Sequence, residues 1–139
     1  MKHYWLVKTE PHTYSWSDLA SRGDSGDIWD GVRNHQAARY LREMEAGDAV
    51  FVYHSGAERA VVGLAEVSAT AFPDKADASG RFVAVMLRAL ERLPAAVTLA
   101  QIKADPALVD MLLLRQARLS VMPVAATAWD RILQLARDV

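Results

Sequence analysis

The sequence has 139 residues, 52% of them hydrophobic, which suits one domain with a single core and is too short for two domains of ordinary size. Its 16 Lys and Arg residues against 17 Asp and Glu give a net charge of -1, so no overall positive field attracts an acidic partner, and a protein that coats duplex DNA is disfavoured. The absence of cysteine excludes disulfide frameworks, thiolate nucleophiles and Cys-ligated zinc.

The N-terminal run MKHYWLVKTEP is charged and contains a proline, unlike the unbroken apolar run of a signal peptide. No later stretch reaches the apolar length of a membrane span, so we expect a cytoplasmic protein that does not enter a membrane. Residues 3–8 (HYWLVK) alternate in character and are rich in aromatic and β-branched side chains, which predicts a first strand that ends before Pro11.

Helical signals follow this strand. Ser15 and Asp18 have capping-box spacing, which predicts a short helix that Gly23 ends. Residues 25–31 (SGDIWDG) are typical of a turn-rich connector. Residues 33–44 carry apolar or small side chains at helical spacing and therefore predict a second, amphipathic helix.

Three runs after the second helix predict strands, at residues 49–55 (AVFVYHS), 60–72 (AVVGLAEVSATAF) and 81–93 (RFVAVMLRALERL). They are close in sequence and joined by short turns, which favours an antiparallel, curled sheet and a small barrel. The remaining chain predicts helices at residues 98–103, 105–112 and 127–138 and a closing strand within residues 118–124. Thr98 with Gln101, Asp105 with Pro106, and Thr127 supply the expected helix caps.

The sequence carries no recognisable catalytic or metal motif. Its four histidines lack the spacing that directs two side chains at one ion, and its seven glycines form no phosphate loop, so we expect no metal and no cofactor. His54 lies between Tyr53 and Ser55 at a strand end, where neighbouring side chains point to opposite faces. Sheet-end polar residues that satisfy backbone groups are the favoured interpretation, ahead of a catalytic base.

Aromatic residues concentrate in the first 53 positions, which hold three of the four tryptophans and all four tyrosines. Aromatic walls with a few polar groups suit a flat heteroaromatic ligand such as a nucleobase. Trp5 and Trp129 lie in periodic elements and are expected to pack in the core. Trp29 lies in a predicted turn beside Asp30 and Gly31, where a large apolar residue needs a pocket or a ligand.

Polar residues cluster around the predicted start of the second helix. Asn34 has the character of a helix cap, and Arg33 adds a cation beside the free N–H groups of that helix terminus. Taken alone, these are a structural cap and a solvated charge, and Lys8 and Glu10 are an exposed pair. Together with Trp29 they supply the stacking surface, donors and acceptors that a base edge requires, which favours a binding site.

Several motifs in order along the chain, among them YWLVKTEP, WDGVRN, GDAVFVYHS, TLAQIKADPAL and RQARLSVMPV, resemble the EVE domain family. The resemblance covers essentially residues 1–139 as a single domain. It implies an α+β fold, a PUA-like curled mixed β-barrel flanked by short helices, related to the YTH and SRA base readers. Two positions depart from the family pattern: Phe72 replaces a common Tyr before PD, which removes a hydroxyl, and Trp16 is a bulky choice in the first helix.

The resemblance also implies a non-enzymatic module that reads a modified nucleobase, with modified cytosine in DNA ahead of RNA ligands. The residues that match the family's pocket are Trp5, Lys8, Glu10, Trp29, Arg33, Asn34, Tyr53, His54, Ser55 and Ser120. A monomer is expected, with any effector protein on a separate chain. Two alternatives stay open: an enzyme acting on a small heterocycle, with His54 as base and Glu10 as acid, and a sensor of a free nucleoside or other small molecule.

Overall fold

The computed structural model describes residues 2–138. The strands are β1 (Tyr4–Thr9), β2 (Asp27–Trp29), β3 (Ala49–His54), β4 (Ala60–Pro73), β5 (Val83–Thr98) and β6 (Val121–Pro123). The α-helices are α1 (Trp16–Ala20), α2 (His35–Glu43), α3 (Leu99–Ala104), α4 (Leu112–Arg115) and α5 (Ala126–Arg137), with 3-10 turns at Gly23–Ser25 and Pro106–Leu108. Within the described residues, every helix is too short or too polar to cross a membrane.

All six strands of the described chain join one mixed sheet in the order β2-β5-β4-β3-β1-β6. β3, β4 and β5 are antiparallel neighbours, as predicted, whereas β1 pairs with β3 in parallel. A parallel pair needs a long crossover, and residues 10–48 provide it. Register shifts along β3–β4 and β4–β5 bend the long strands, so the sheet curls into a half-barrel.

The segment predicted as a connector at residues 25–31 contains a strand, and that prediction was wrong. β2 pairs with β5 through Asp27–Leu87, Ile28–Met86 and Trp29–Val85. Gly26 allows the approach because it has a φ of 68°, and a Cβ there would overlap the Leu87 carbonyl. A strand of three residues is too short to display an alternating pattern, so the sequence carried only the turn signals around it.

Side-chain caps begin most of the predicted helices. Ser15 and Asp18 exchange both capping-box bonds at α1, and Thr98 with Gln101 does the same at α3. Asn34 accepts from the N–H of Ala37 at 2.9 Å and begins α2. These three helix starts are confirmed.

Two C-terminal predictions were wrong. Thr127 is not the cap of α5, because the extended residue before the helix is Ala125, which places Thr127 inside the first turn. Asp105 caps only the 3-10 turn through the N–H of Ala107, and the backbone extends again at Met111 before α4 begins. The expected helix over residues 105–112 is therefore two short pieces.

Aromatic stacking builds much of the core. The rings of Phe51 and Trp129 lie 3.6 Å apart and nearly parallel, and the Tyr4 ring packs against Trp129 at 4.7 Å. Trp16 is also buried, and its indole lies directly over the backbone of Gly63 in β4. The packing roles predicted for Trp16 and Trp129 are confirmed.

A buried carboxylate fixes the loop that leads into α2. Asp74, 3% exposed at the end of β4, accepts hydrogen bonds from the N–H of Gly31, from Nη1 of Arg33 and from the N–H of Ala76, each at 2.9 Å. The bond from Arg33 is the main reason that the pKa of Asp74 lies below its usual value. One side chain thus ties residues 31–33 to the β4–β5 connection.

We expect Gly63→Ala to destabilise the fold by about 1–3 kcal/mol, because the added methyl group overlaps the Trp16 indole. Chemical denaturation of this variant, of Trp16→Phe and of the double variant measures the effect. The double variant should lose less free energy of unfolding than the sum of the single variants, since the smaller ring leaves room for the methyl group. Strict additivity would contradict the contact.

We expect the difference in free energy of unfolding between the unaltered protein and Asp74→Asn to become smaller as the pH is lowered. Because the folded pKa of Asp74 is depressed, its contribution is complete above the unfolded value of about 4 and is lost as the pH falls through the folded value. Denaturation at pH 7, 4 and 3 measures this, with the exposed Asp130→Asn as a control of equal charge change. A difference in free energy of unfolding that does not vary with pH would contradict a lowered pKa of Asp74 in the folded protein.

Candidate functional site

A cleft of about 760 Å³ opens beside the N-terminus of α2, and we call it the Trp29 cleft. It is lined by residues 8–9, 13–14, 27–34 and 120. The lining combines the end of β1, the whole of β2, the loop into α2 and the residue before β6. Five of the ten predicted site residues meet here: Lys8, Trp29, Arg33, Asn34 and Ser120.

The cleft lies where the curled sheet fails to close. β2 and β6 are the two edges of the sheet, and each pairs with one neighbour only. Residues 27–29 of one edge and Ser120, next to the other edge, line the same cavity. An edge strand carries backbone donors and acceptors that the sheet does not use, so the seam offers polar groups as well as apolar walls.

Aromatic side chains form the inner wall of the cleft. Trp29 is not the turn residue that the sequence predicted but the last residue of β2, and it is 7% exposed, with its indole packed inward. The edge of the Tyr14 ring meets the indole in a T-shaped contact at 5.9 Å. Ile28 follows the alternation of the strand and is 41% exposed at the mouth.

A carboxylate faces the aromatic wall. Tyr14 donates its hydroxyl proton to Oδ2 of Asp27 at 2.5 Å, and Arg22 lies 3.4 Å from the same oxygen. Burial, and then this bond to Asp27, raise the pKa of Tyr14, so its hydroxyl stays a donor at neutral pH.

The mouth of α2 supplies an amide and a cation. Oδ1 of Asn34 caps the helix, which leaves the two amide protons of its side chain for another partner. Arg33 donates to Asp74 through Nη1, and that bond is the main cause of its raised pKa. The Arg33 side chain remains 40% exposed and retains further N–H groups. Each side chain therefore holds the local structure through one hydrogen bond and keeps other N–H groups available to a ligand.

Lys8, near the end of β1, and Ser120, just before β6, also line the cleft. The backbone N–H of Lys8 donates to the carbonyl of Ser120 at 2.9 Å, and its ammonium donates to the carbonyl of Ala117 at 2.7 Å. Partial burial lowers the pKa of Lys8. One ammonium proton is engaged, and two remain for a ligand.

The structure locates Trp5 at a different cavity, of about 1000 Å³, with residues of α2 and β6. Its indole N–H donates to Oδ2 of Asp48 at 2.9 Å, and the same carboxylate accepts from the N–H groups of His3 and Glu45. Trp5 therefore does not share the Trp29 cleft, because its ring lies at the opposite end of β1 from Lys8. The smaller cleft is the better candidate, since an aromatic wall, unused donors and a helix terminus converge there.

Tyr53, His54, Ser55 and Glu10 also lie outside the Trp29 cleft. His54 is buried, with Nε2 accepting from the N–H of Trp16 at 2.9 Å and Nδ1 lying 2.7 Å from Glu58. Because Nε2 accepts, Nδ1 carries the proton, so both ring nitrogens are engaged.

The other three residues have structural contacts as well. Tyr53 is buried beneath Lys8, whose ammonium lies 5.7 Å from the ring centre. The backbone N–H of Ser55 donates to Thr9, and Oε2 of Glu10 accepts from the N–H of His12. These strand-end residues do not line the Trp29 cleft, because their partners hold them on neighbouring structure, and their binding role stays a prediction.

Sequence reasoning missed Tyr14, Asp27 and Ile28 as lining residues. Tyr14 and Asp27 are 13 positions apart, and their contact requires β2 to be a strand beside the chain that follows β1. The only sequence signal was the aromatic enrichment that includes Tyr14.

Comparison with known proteins agrees with this architecture. A solved structure from Rhodopseudomonas palustris shares 45% identity and a TM-score of 0.91, covering 96% of this chain and 92% of that one. Human THYN1 protein, solved in complex with 5-methylcytosine-containing DNA, shares 25% identity and a TM-score of 0.92 over 99% of each chain. Thymocyte nuclear protein 1 of Mus musculus is 37% identical over 84 residues, which span 53% of this chain and 37% of that protein.

The curated mouse relative is therefore matched over little more than a third of its own length. The EVE domain model, in contrast, matches residues 3–135, nearly all of the sequence. With the half-barrel fold and this extent of agreement, the chain belongs to the EVE domain family.

Proposed function

We propose that this protein is a non-enzymatic reader of a modified nucleobase, with cytosine modified at C5 in DNA as the ligand. One target base leaves the helix and enters the Trp29 cleft. The observation that carries the proposal is the convergence of an indole, a helix terminus and unused donors on one cavity of suitable size. The 25% identical human THYN1 structure, described as a complex with 5-methylcytosine-containing DNA, supports the choice of ligand.

Each side of the cleft has a role in this proposal. Trp29 and Tyr14 form the aromatic wall against which the base ring packs. The free amide protons of Asn34 suit the acceptors on a cytosine edge. Lys8 and Arg33 both line the cleft and suit the phosphates that flank an extruded nucleotide.

The contacts of the candidate acid–base pair argue against an enzyme. Both nitrogens of His54 are engaged with Trp16 and Glu58, and Glu10 accepts from the backbone of His12. Neither residue lines the Trp29 cleft. A general base must reach the proton that it abstracts, and here no ligand in the cleft lies within its reach. A free modified nucleoside remains the alternative ligand, because the same aromatic wall would hold it.

We expect Trp29→Leu to weaken binding of a 5-methylcytosine duplex about tenfold, because a leucine keeps apolar bulk but cannot stack on a base. Fluorescence anisotropy with methylated and unmethylated duplexes measures the change, and a thermal melt checks the fold. Trp5→Leu is the matched control, since it removes a buried indole outside the cleft. Unchanged affinity in a folded Trp29→Leu protein would reject the site, and tighter binding of the free nucleoside than of any duplex would favour the sensor.

We expect a shallow salt dependence, with a slope of log K against log salt of about -2, because Lys8 and Arg33 are the two cations among the described residues that line the cleft. Titrations between low and physiological salt measure this slope. Lys8→Met should reduce its magnitude by about one, since one phosphate contact is lost. A slope of about -6 or steeper for the unaltered protein would indicate an extended DNA-coating surface instead.

A further inference from the structure

The carboxylate of Asp27 is the best-anchored acidic group on the wall of the Trp29 cleft. Oδ2 accepts the Tyr14 hydroxyl proton at 2.5 Å and lies 3.4 Å from Nε of Arg22. Oδ1 accepts from the N–H of Ile28 at 2.8 Å. Two hydrogen bonds, from Tyr14 and from the backbone of β2, and the adjacent Arg22 cation therefore hold this side chain in one orientation.

An acceptor position remains after these bonds are counted. A carboxylate offers about four acceptor positions, two on each oxygen. Tyr14 uses one position on Oδ2, next to which the Arg22 cation lies at 3.4 Å, and Ile28 uses one on Oδ1. The Asp27 side chain is 26% exposed and lines the cleft, so the remaining position on Oδ1 is open to a ligand.

The free position on Oδ1 of Asp27 needs a hydrogen-bond donor, and the two pyrimidines of DNA differ in whether they carry one at C4. Cytosine carries an amino group at C4, which donates, whereas thymine carries a carbonyl oxygen there, which repels a carboxylate. The Asn34 amide cannot accept from the amino group at C4, because its oxygen caps the helix, and at O2, an acceptor in both bases, its N–H groups do not distinguish the two. A methyl group at C5 is common to thymine and 5-methylcytosine, so the apolar wall does not distinguish them either.

We propose that Asp27 selects cytosine over thymine in the Trp29 cleft by accepting a hydrogen bond from the amino group at C4. The inference rests on the proposed function and identifies the residue that sets its pyrimidine specificity. Tyr14 and Arg22 act as positioning residues, since they orient the carboxylate from behind. The aromatic wall at Trp29 accepts the C5 substituent without distinguishing the two bases.

The test compares two duplexes that differ in one base, 5-methylcytosine or thymine, each opposite an abasic site so that neither base loses a pairing partner. We expect the unaltered protein to prefer 5-methylcytosine by about tenfold or more. Asp27→Asn should bring the ratio close to one, because a carboxamide can turn its N–H toward the thymine oxygen. Asp24→Asn is the matched control: it removes a fully exposed carboxylate three positions away, outside the cleft, and should leave the ratio unchanged.

A second measurement needs no variant and is independent of folding. A duplex carrying 5-methyl-2-pyrimidinone lacks any group at C4, and the unaltered protein should bind it about as weakly as the thymine duplex. Preference for 5-methylcytosine that survives Asp27→Asn in a folded protein, or equal binding of the pyrimidinone, would overturn the inference and leave the reader function intact. Failure of the unaltered protein to bind any methylated duplex would overturn the proposed function and this inference together.

Discussion

The cleft exists because β2 pairs on one side only. Hydrogen bonds to β5 fix residues 27–29 as an edge strand, and the far edge of the sheet, at β6, does not reach it. Had the two edges bonded to each other, the barrel would be closed and Trp29 would be an ordinary core residue. The opening leaves an indole, a carboxylate and a strand edge facing a helix terminus, which is the basis of the proposed binding site.

Buried carboxylates then hold the polar side of the cleft in place. Asp74 fixes the loop before α2 through Gly31 and Arg33, so the position of the helix mouth depends on a side chain of the β4–β5 connection. Asp48 has a similar role near the start of β1, where it accepts from the Trp5 indole N–H and from two backbone N–H groups. Each charge is buried with several donors, which is the condition under which such groups are tolerated.

Local signals predicted the parts of the fold that depend on neighbouring residues. The caps at Ser15, Asn34 and Thr98 follow from spacing of three residues, and the long strands follow from their composition. β2 could not be predicted, because three residues carry no period and its partner, β5, lies more than fifty residues away. For the site, resemblance brought together five residues of the cleft but also included His54, whose contacts with Trp16 and Glu58 have no sequence signature.

The position of β1 has a consequence for how the chain acquires its structure. The first strand lies between β3 and β6, so one of its edges has no partner until residues 121–123 are available. During synthesis on the ribosome, β3, β4 and β5 can associate as a meander of successive hairpins, while the second edge of β1 stays without its partner strand until the end of the chain is made. Such non-local pairing slows folding, and the contacts of Lys8 with Ala117 and Ser120 join the last parts of the molecule to assemble.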